Sequence, residues 1–188
     1  MPKLRPILFN TEMVKAILDG YKTETRRVIK QVSPDAKELD TLWPTPPYCI
    51  GDYLYVRETW LSGDNGQTKT FLYKASTYED IELFGKPVKL KWKPSIHMPK
   101  EAARLFLKVE NVSIERLQDI DLESVHNEGI NHHLMYDDGS EMEEFAELWD
   151  STTSDPQYKW ENDPWVWVTK FKVVDRKEVE SWLRENAE

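Results

Sequence analysis

The stretch GYKTETRR, residues 20–27, follows directly on a predicted helix, and the rest of the fold can be worked out from it. The apolar residues before it recur at helical spacing and give that helix one apolar face. These residues are Met13, Val14, Ile17 and Leu18. Gly20 ends the helix, because glycine adopts the left-handed conformation after a helix C-terminus without a steric penalty.

Lys22 and Thr25 lie three residues apart in this stretch. In a helical turn their side chains would meet, whereas in a straight strand they would point to opposite faces. A shared site therefore requires a bend or a bulge. A partly desolvated lysine loses its proton more readily and is then able to activate a threonine hydroxyl as a nucleophile. The spacing also fits an ordinary solvated turn, and both interpretations stay open.

Strands and short helices surround this stretch. Strands are predicted at residues 5–9, 53–60, 71–75, 104–114 and 164–174, with 71–75 as the partner of 53–60. Short helices are predicted at about 121–128, 140–149 and 176–187. Strands that are separated by short helices without regular β-α-β alternation are typical of the α+β class. Antiparallel strands of this number close most easily into a small barrel, which we expect here.

Length and composition exclude several classes of protein. The 188 residues predict one domain, with loop insertions at about 33–50 and 60–100. A hydrophobic content of 39% excludes a disordered chain, and no apolar stretch is long enough to span a membrane. The single cysteine, Cys49, excludes an internal disulfide framework and fits a reducing compartment. We therefore expect a cytoplasmic protein, without a secretory leader.

The net charge of −9 is unevenly distributed along the chain. Residues 1–32 carry a net +4 and residues 86–109 a net +6, whereas residues 110–163 carry −14. The two basic blocks predict one positive face that holds phosphate groups. The alternative is that these lysines only solvate loops and strand edges.

Two further sets of residues are candidates for a site. Glu128 lies near the C-terminus of a short predicted helix, where a carboxyl group could pass protons, although it also fits an ordinary surface glutamate. An aromatic and basic set has the residue types that stack bases and hold phosphate, although most of the eight tryptophans should be core. This set consists of Arg57, Trp60, Tyr73, Trp92 and Lys93. The histidines at positions 97, 126, 132 and 133 match no zinc pattern, so we expect neither a metal nor a cofactor.

The run Gly20-x-Lys22-x-x-Thr25-x-Arg27 resembles the signature of ASCH domains, in which some members carry threonine where others carry glutamate. Four other stretches resemble the longer ASCH-type proteins of bacteria, phages and prophages. They are PILFN, GDYLYVRETW, KPSIHMP and PWVWVTKF, and together they cover nearly the whole chain.

The resemblance implies a PUA-like fold, a small β-barrel with helices at its openings, and a link to RNA or modified nucleosides. The threonine-bearing branch includes amidohydrolases that remove the acetyl group from N(4)-acetylcytidine with a lysine, a threonine and a glutamate. These roles would fall on Lys22, Thr25 and Glu128, with Glu123 as a neighbouring alternative for the acid. Arg26 and Arg27 would contact the substrate or RNA.

Three functions stay open from the sequence. The first is an amidohydrolase that deacylates a modified cytosine nucleoside, in which Arg27 or Lys22 steadies the oxyanion. The second is a non-catalytic module that binds RNA, with the RNA bases stacked on Trp60 or Trp92. The third is a phage or prophage accessory protein that acts through protein contacts of its acidic region at 110–163. The partner is accordingly a nucleoside or RNA in the first two cases, and the oligomeric state is left open.

Overall fold

The computed structural model describes residues 1–30, 32, 44–64, 69–77, 82–83, 86–87, 90–130 and 140–186. The strands are β1 (Leu4–Leu8), β2 (Glu24–Val28), β3 (Tyr53–Arg57), β4 (Trp60–Asp64), β5 (Lys69–Tyr73), β6 (Glu82–Leu83), β7 (Lys86–Pro87), β8 (Phe106–Arg116) and β9 (Trp165–Val174). The helices are α1 (Thr11–Leu18), α2 (Leu122–Asn127), α3 (Ser140–Thr152) and α4 (Arg176–Glu185). This mixed composition confirms the predicted α+β class.

The central sheet has five strands in the order β1-β3-β8-β9-β2. β1 pairs with β3 in parallel, and the other neighbours are antiparallel. β8 and β9 form the longest ladder, with a register shift between Val109 and Asn111. Neither long strand was predicted to carry such an irregularity, which bends the strand locally.

The prediction of a closed barrel is wrong, because the described sheets do not close. β1 and β2 are the two edge strands, and no backbone ladder joins them in the described chain. Instead, Arg27 Nη2 of β2 donates a 3.0 Å hydrogen bond to the Leu8 carbonyl oxygen of β1. This side-chain contact links the two edge strands, whereas a closed barrel would require backbone hydrogen bonds between them.

The predicted strand at 53–60 divides into two elements. β3 ends at Arg57, and Trp60 begins β4, which pairs with β5 in a separate two-stranded sheet. Between them the buried carboxylate of Glu58 accepts two 2.9 Å hydrogen bonds from Arg104. This ion pair fixes the chain where it changes sheet, so the segment at 71–75 pairs with β4 rather than with β3.

The predicted helices lie close to their expected positions. Asn10 caps α1 by accepting from Met13 N at 2.8 Å, and Asp121 caps α2 by accepting from Ser124 N at 2.8 Å. Gly20, which the sequence predicts to end α1, and Gly129, which follows α2, have φ +84° and +97°, the left-handed conformation typical of a helix stop. Among the helices described, none combines the length and the apolar character that a membrane span needs.

Three apolar clusters form the interior of the described chain. One joins α1 to β1, β3 and β8, and a second packs α4 against the other face near Tyr53 and Phe106. The third lies between α2, α3 and the start of β9, around Val125, Phe145 and Val166. The ends of α1 and α2 meet at the start of β2, between the first and third clusters.

Candidate active site

Lys22 lies in the bend that leads from α1 to β2. Its backbone N–H donates to the Ala16 carbonyl oxygen at 3.0 Å, so the chain stays against the end of α1. Its side chain is fully buried, and Nζ donates to the backbone oxygen of Glu128 at 2.8 Å and to Glu128 Oε2 at 2.5 Å. The solvated turn that the spacing also allowed is therefore not what the structure shows.

Glu128 caps the C-terminus of α2, as the sequence predicts, and it is only 5% exposed. Its second oxygen, Oε1, accepts from the backbone N–H of Arg26 at 2.6 Å and from Arg26 Nη1 at 3.3 Å. The negative charge lies at the unfavourable end of the helix dipole, and two cations offset it. Glu128 rather than Glu123 is thus the carboxylate in contact with Lys22.

The bend itself is held by backbone contacts on both sides. Thr23 N donates to the Asn127 carbonyl oxygen at 2.8 Å, and Phe171 N donates to the Thr23 carbonyl oxygen at 2.8 Å. A Cβ on Gly129 would lie 2.8 Å from Ala16 Cβ and 3.2 Å from Lys22 Cβ. Only glycine allows α1, α2 and the bend to approach this closely.

Arg26 is the centre of a buried group of charges. Its Nη1 donates to Glu24 Oε1 at 2.7 Å and its Nε donates to Glu115 Oε1 at 2.7 Å. Lys170 Nζ lies 3.3 Å from the other Glu24 oxygen. With Lys22 and Glu128, three cations face three carboxylates, so the group is balanced in charge.

Burial and charge shift the pKa values of this group in different directions. Burial lowers the pKa of Lys22, and the contact with Glu128 opposes that shift only in part. For Arg26 burial also acts to lower the pKa, but Glu128 and Glu24 outweigh it and raise the value overall. Burial raises the pKa of Glu115 against the opposing effect of Arg26. Lys22 is the cation of this group that burial brings towards the neutral form.

Thr25 opens onto a cavity of about 590 Å³ between β2 and the C-terminal end of α3. The side chain is largely buried, and its hydroxyl makes no hydrogen bond with a described residue. Phe9 and Arg27 line the same cavity, with the Arg27 guanidinium carbon 5.9 Å from the centre of the Phe9 ring. Lys22 Nζ lies 5.7 Å from that ring centre. The amine is therefore one side chain away from the cavity, without a hydrogen bond to Thr25.

The aromatic and basic set lies elsewhere. Trp60 is buried in the second apolar cluster, under the Lys93 amine at 4.8 Å, and Tyr73 donates to the Ala102 carbonyl oxygen at 2.7 Å. Arg57 donates to the carbonyl oxygens of Met98 and Ile96. Trp92 is partly exposed, and none of the five residues lines the cavity at Thr25.

Sequence reasoning missed β2 itself, and with it Glu24, Glu115 and Lys170. The alternation of Glu24 with Arg26 fits one face of a strand, which was the available indication. Glu115 and Lys170 join this face only through the register of β8 and β9. The other wall of the cavity, from Trp149 to Tyr158, carries no motif at all.

Metal-binding side chains do not cluster in the part of the chain that the structure describes. His126 and His97 belong to that part, whereas His132 and His133 lie outside it. The Asp-Asp-Gly run at 137–139 also lies outside the described residues.

Comparison with known proteins gives fold-level similarities. No family model matches the chain, and no curated protein matches it. The chain is similar to a crystal structure of an ASCH domain from Lactobacillus crispatus JV V101, with 14% identity and a TM-score of 0.46. It is also similar to a protein from Enterococcus faecalis V583 described under DUF984, with 13% identity and a TM-score of 0.45. Each similarity covers 93% of this chain and 81% of the other.

The first of these descriptions names the same family as the sequence resemblance. Both identities are low and both TM-scores lie below 0.5, so the function of the chain has to be argued from its own residues.

Proposed function

We propose that this protein is an amidohydrolase that removes an acyl group from the exocyclic amine of a cytosine nucleoside. The observation that carries the proposal is the buried Lys22–Glu128 pair, set beside a cavity that Thr25 lines. A nucleophile, a base and an acid are the three groups that acyl transfer from an amide requires.

The two hydrogen bonds of the Lys22 amine can also be kept when the amine gives up a proton and becomes a neutral base. A neutral amine has two N–H donors and one lone pair, and the two contacts to Glu128 use both donors. The lone pair is then left for an incoming proton. Burial lowers the pKa of Lys22, so this lysine gives up its proton more readily than a solvated lysine does.

The reaction proceeds in two stages. Thr25 Oγ1 attacks the acyl carbon, and its proton passes to Lys22 Nζ directly or through one water. The carbon–nitrogen bond breaks as that proton passes from Lys22 to the leaving amine, directly or through Glu128, which gives cytidine and an ester on Thr25. Water then hydrolyses that ester to the free acid and restores the hydroxyl. Arg27, which lines the cavity, steadies the oxyanion.

The cavity suits a ligand of nucleoside size. Its volume of about 590 Å³ falls in the ordinary range for small-molecule sites. The Phe9 ring gives it an apolar surface, and Arg27 and Lys30 give it donors. These groups match a flat, polar heterocycle better than an aliphatic amide.

Non-catalytic RNA binding is the second candidate, and a separate surface favours it. Lys91 and Lys93 are exposed on either side of the partly exposed Trp92. Two amines next to an aromatic ring form the combination that holds a phosphate backbone and stacks a base. This surface does not include Thr25, so the amidohydrolase and the RNA-binding function depend on different residues.

The proposal is tested by offering the purified protein a panel of N(4)-acylated cytosines, nucleosides and short RNAs, with mass spectrometry of the products. We expect loss of the acyl group from at least one nucleoside, and none with Lys22→Arg, because arginine stays protonated and cannot act as a base. A panel left intact by the wild-type protein, or full turnover by Lys22→Arg, would contradict the proposal.

A further inference from the structure

The cavity at Thr25 has a second wall that the reaction above does not use. It is formed by the end of α3 and the following turn, Pro156–Tyr158. Tyr158 is 8% exposed and lines the cavity, yet its hydroxyl makes no hydrogen bond with a described residue. A hydroxyl on the wall of a cavity is able to donate a hydrogen bond to a ligand that enters the cavity.

The turn that carries Tyr158 is fixed on both sides. The Tyr158 carbonyl oxygen accepts from Trp149 Nε1 at 2.8 Å, and its N–H donates to the Asp155 carbonyl oxygen at 3.1 Å. Just beyond it, Trp160 N donates to Asp150 Oδ1 at 2.8 Å. The turn is therefore tied to α3 at several points, and the backbone that carries the phenol is held in position before any ligand arrives.

Thr25 and Tyr158 stand on the two walls of one cavity. A ligand whose acyl group lies at Thr25 would present the rest of its ring towards the α3 wall. A pyrimidine ring carries carbonyl and ring-nitrogen acceptors, whereas a phenyl ring or an aliphatic chain carries none. A tyrosine hydroxyl that donates to such an acceptor would discriminate between these ligands.

We propose that Tyr158 is a specificity-determining residue, whose hydroxyl donates a hydrogen bond to a ring acceptor of the pyrimidine base. This inference rests on the proposed function, since it takes the cavity as the nucleoside site. In this arrangement the end of α3 and the following turn recognise the heterocycle, and the residues of β2 take part in the acyl transfer.

The experiment measures cytidine binding by calorimetry to the wild-type chain and to Tyr158→Phe, Tyr53→Phe and Thr25→Val. Tyr53→Phe is the matched control, because it also loses a buried phenol hydroxyl, but one that is bonded to Glu178 at 3.0 Å and remote from the cavity lining. We expect Tyr158→Phe to weaken cytidine binding about fivefold, as loss of one neutral hydrogen bond does. Tyr53→Phe should leave the affinity unchanged.

Thermal unfolding of the same variants provides a second measurement. Because no hydrogen bond joins the Tyr158 hydroxyl to a residue that the structure describes, its removal should leave the unfolding midpoint unchanged. Three results would each overturn the inference. They are cytidine binding by Tyr158→Phe that is as tight as binding by the wild-type chain, a clear fall in the unfolding midpoint of Tyr158→Phe, and the absence of cytidine binding by the wild-type chain. Thr25→Val should still bind cytidine, so a chain that binds cytidine through Tyr158 but hydrolyses no amide would refute only the proposed reaction.

Discussion

Lys22 Nζ and Glu128 Oε2 lie 2.5 Å apart in the interior, although 106 positions separate the two residues in the chain. Lys22 lies just after the end of α1 and Glu128 lies at the end of α2, and a glycine follows each helix. The pair therefore depends on how two short helices end, and each of the following predictions tests part of that arrangement.

The first prediction concerns the energy of the pair. Removing one partner of a buried ion pair leaves an uncompensated charge, which costs about 3–5 kcal/mol. We expect Lys22→Met and Glu128→Gln each to lower the free energy of unfolding by an amount of this order. The double variant should lose clearly less than the sum, as coupled neighbours do. Urea unfolding measures all three, and additive losses would show that the pair is not coupled.

The second prediction concerns pH. Because burial lowers the pKa of Lys22 from its usual 10.5, the unfolded chain binds more protons than the folded chain between the two values. The contribution of Lys22 to stability should therefore rise as pH increases from its folded pKa towards 10.5. The difference in unfolding free energy between the wild-type chain and Lys22→Met, measured across that window, should grow with pH. A difference that stays flat or shrinks would contradict the lowered pKa.

The third prediction separates close approach from backbone conformation at the two glycines. Gly20 and Gly129 both have positive φ, but a Cβ on Gly20 would meet nothing within 4 Å, whereas one on Gly129 would meet Ala16 and Lys22. We expect Gly20→Ala to cost about 1–2 kcal/mol, the strain of the left-handed conformation alone. Gly129→Ala should cost more, because the helices must also move apart. Similar losses in the two variants would mean that α1 and α2 do not approach this closely.

The fourth prediction concerns RNA. If the surface at Trp92 holds RNA, Lys91→Glu and Lys93→Glu should weaken binding and flatten its salt dependence by about one unit of log–log slope per lost phosphate contact. Trp92→Ala should weaken binding by about 1–3 kcal/mol through lost stacking and leave the slope unchanged. Exposed Lys177 on α4 offers a matched control for charge reversal. An RNA affinity that none of the three changes alters would remove this surface as a binding site.

The sequence predicted the features that depend on local chemistry. The helix before Gly20 and the short helix at about 121–128 are set by neighbouring residues, and the structure confirms them. The resemblance suggested that Lys22 and Glu128 share a site, whereas the spacing of Lys22 and Thr25 alone favoured a solvated turn. Lys22 is buried instead, and its burial depends on residues far away in the chain.

The features that were missed depend on long-range pairing. β2 is a short, highly charged strand whose residues look solvated until Arg26 meets Glu115 of β8. Barrel closure failed as a prediction because it requires β1 and β2 to pair, and strand content does not determine which strands become edges. The cavity wall at Tyr158 is likewise formed only when α3 packs against the sheet.

Turnover of N(4)-acetylcytidine by the wild-type chain, Thr25→Val and Thr23→Val tests the proposed function most directly. Valine keeps the β-branched shape of threonine and removes only the hydroxyl. Thr23 is exposed and lies outside the cavity lining, so Thr23→Val controls for substitution in the same bend. We expect the wild-type chain and Thr23→Val to release cytidine and Thr25→Val to release none while it keeps its fold. Release of cytidine by Thr25→Val at the wild-type rate would contradict the role of Thr25 as the nucleophile.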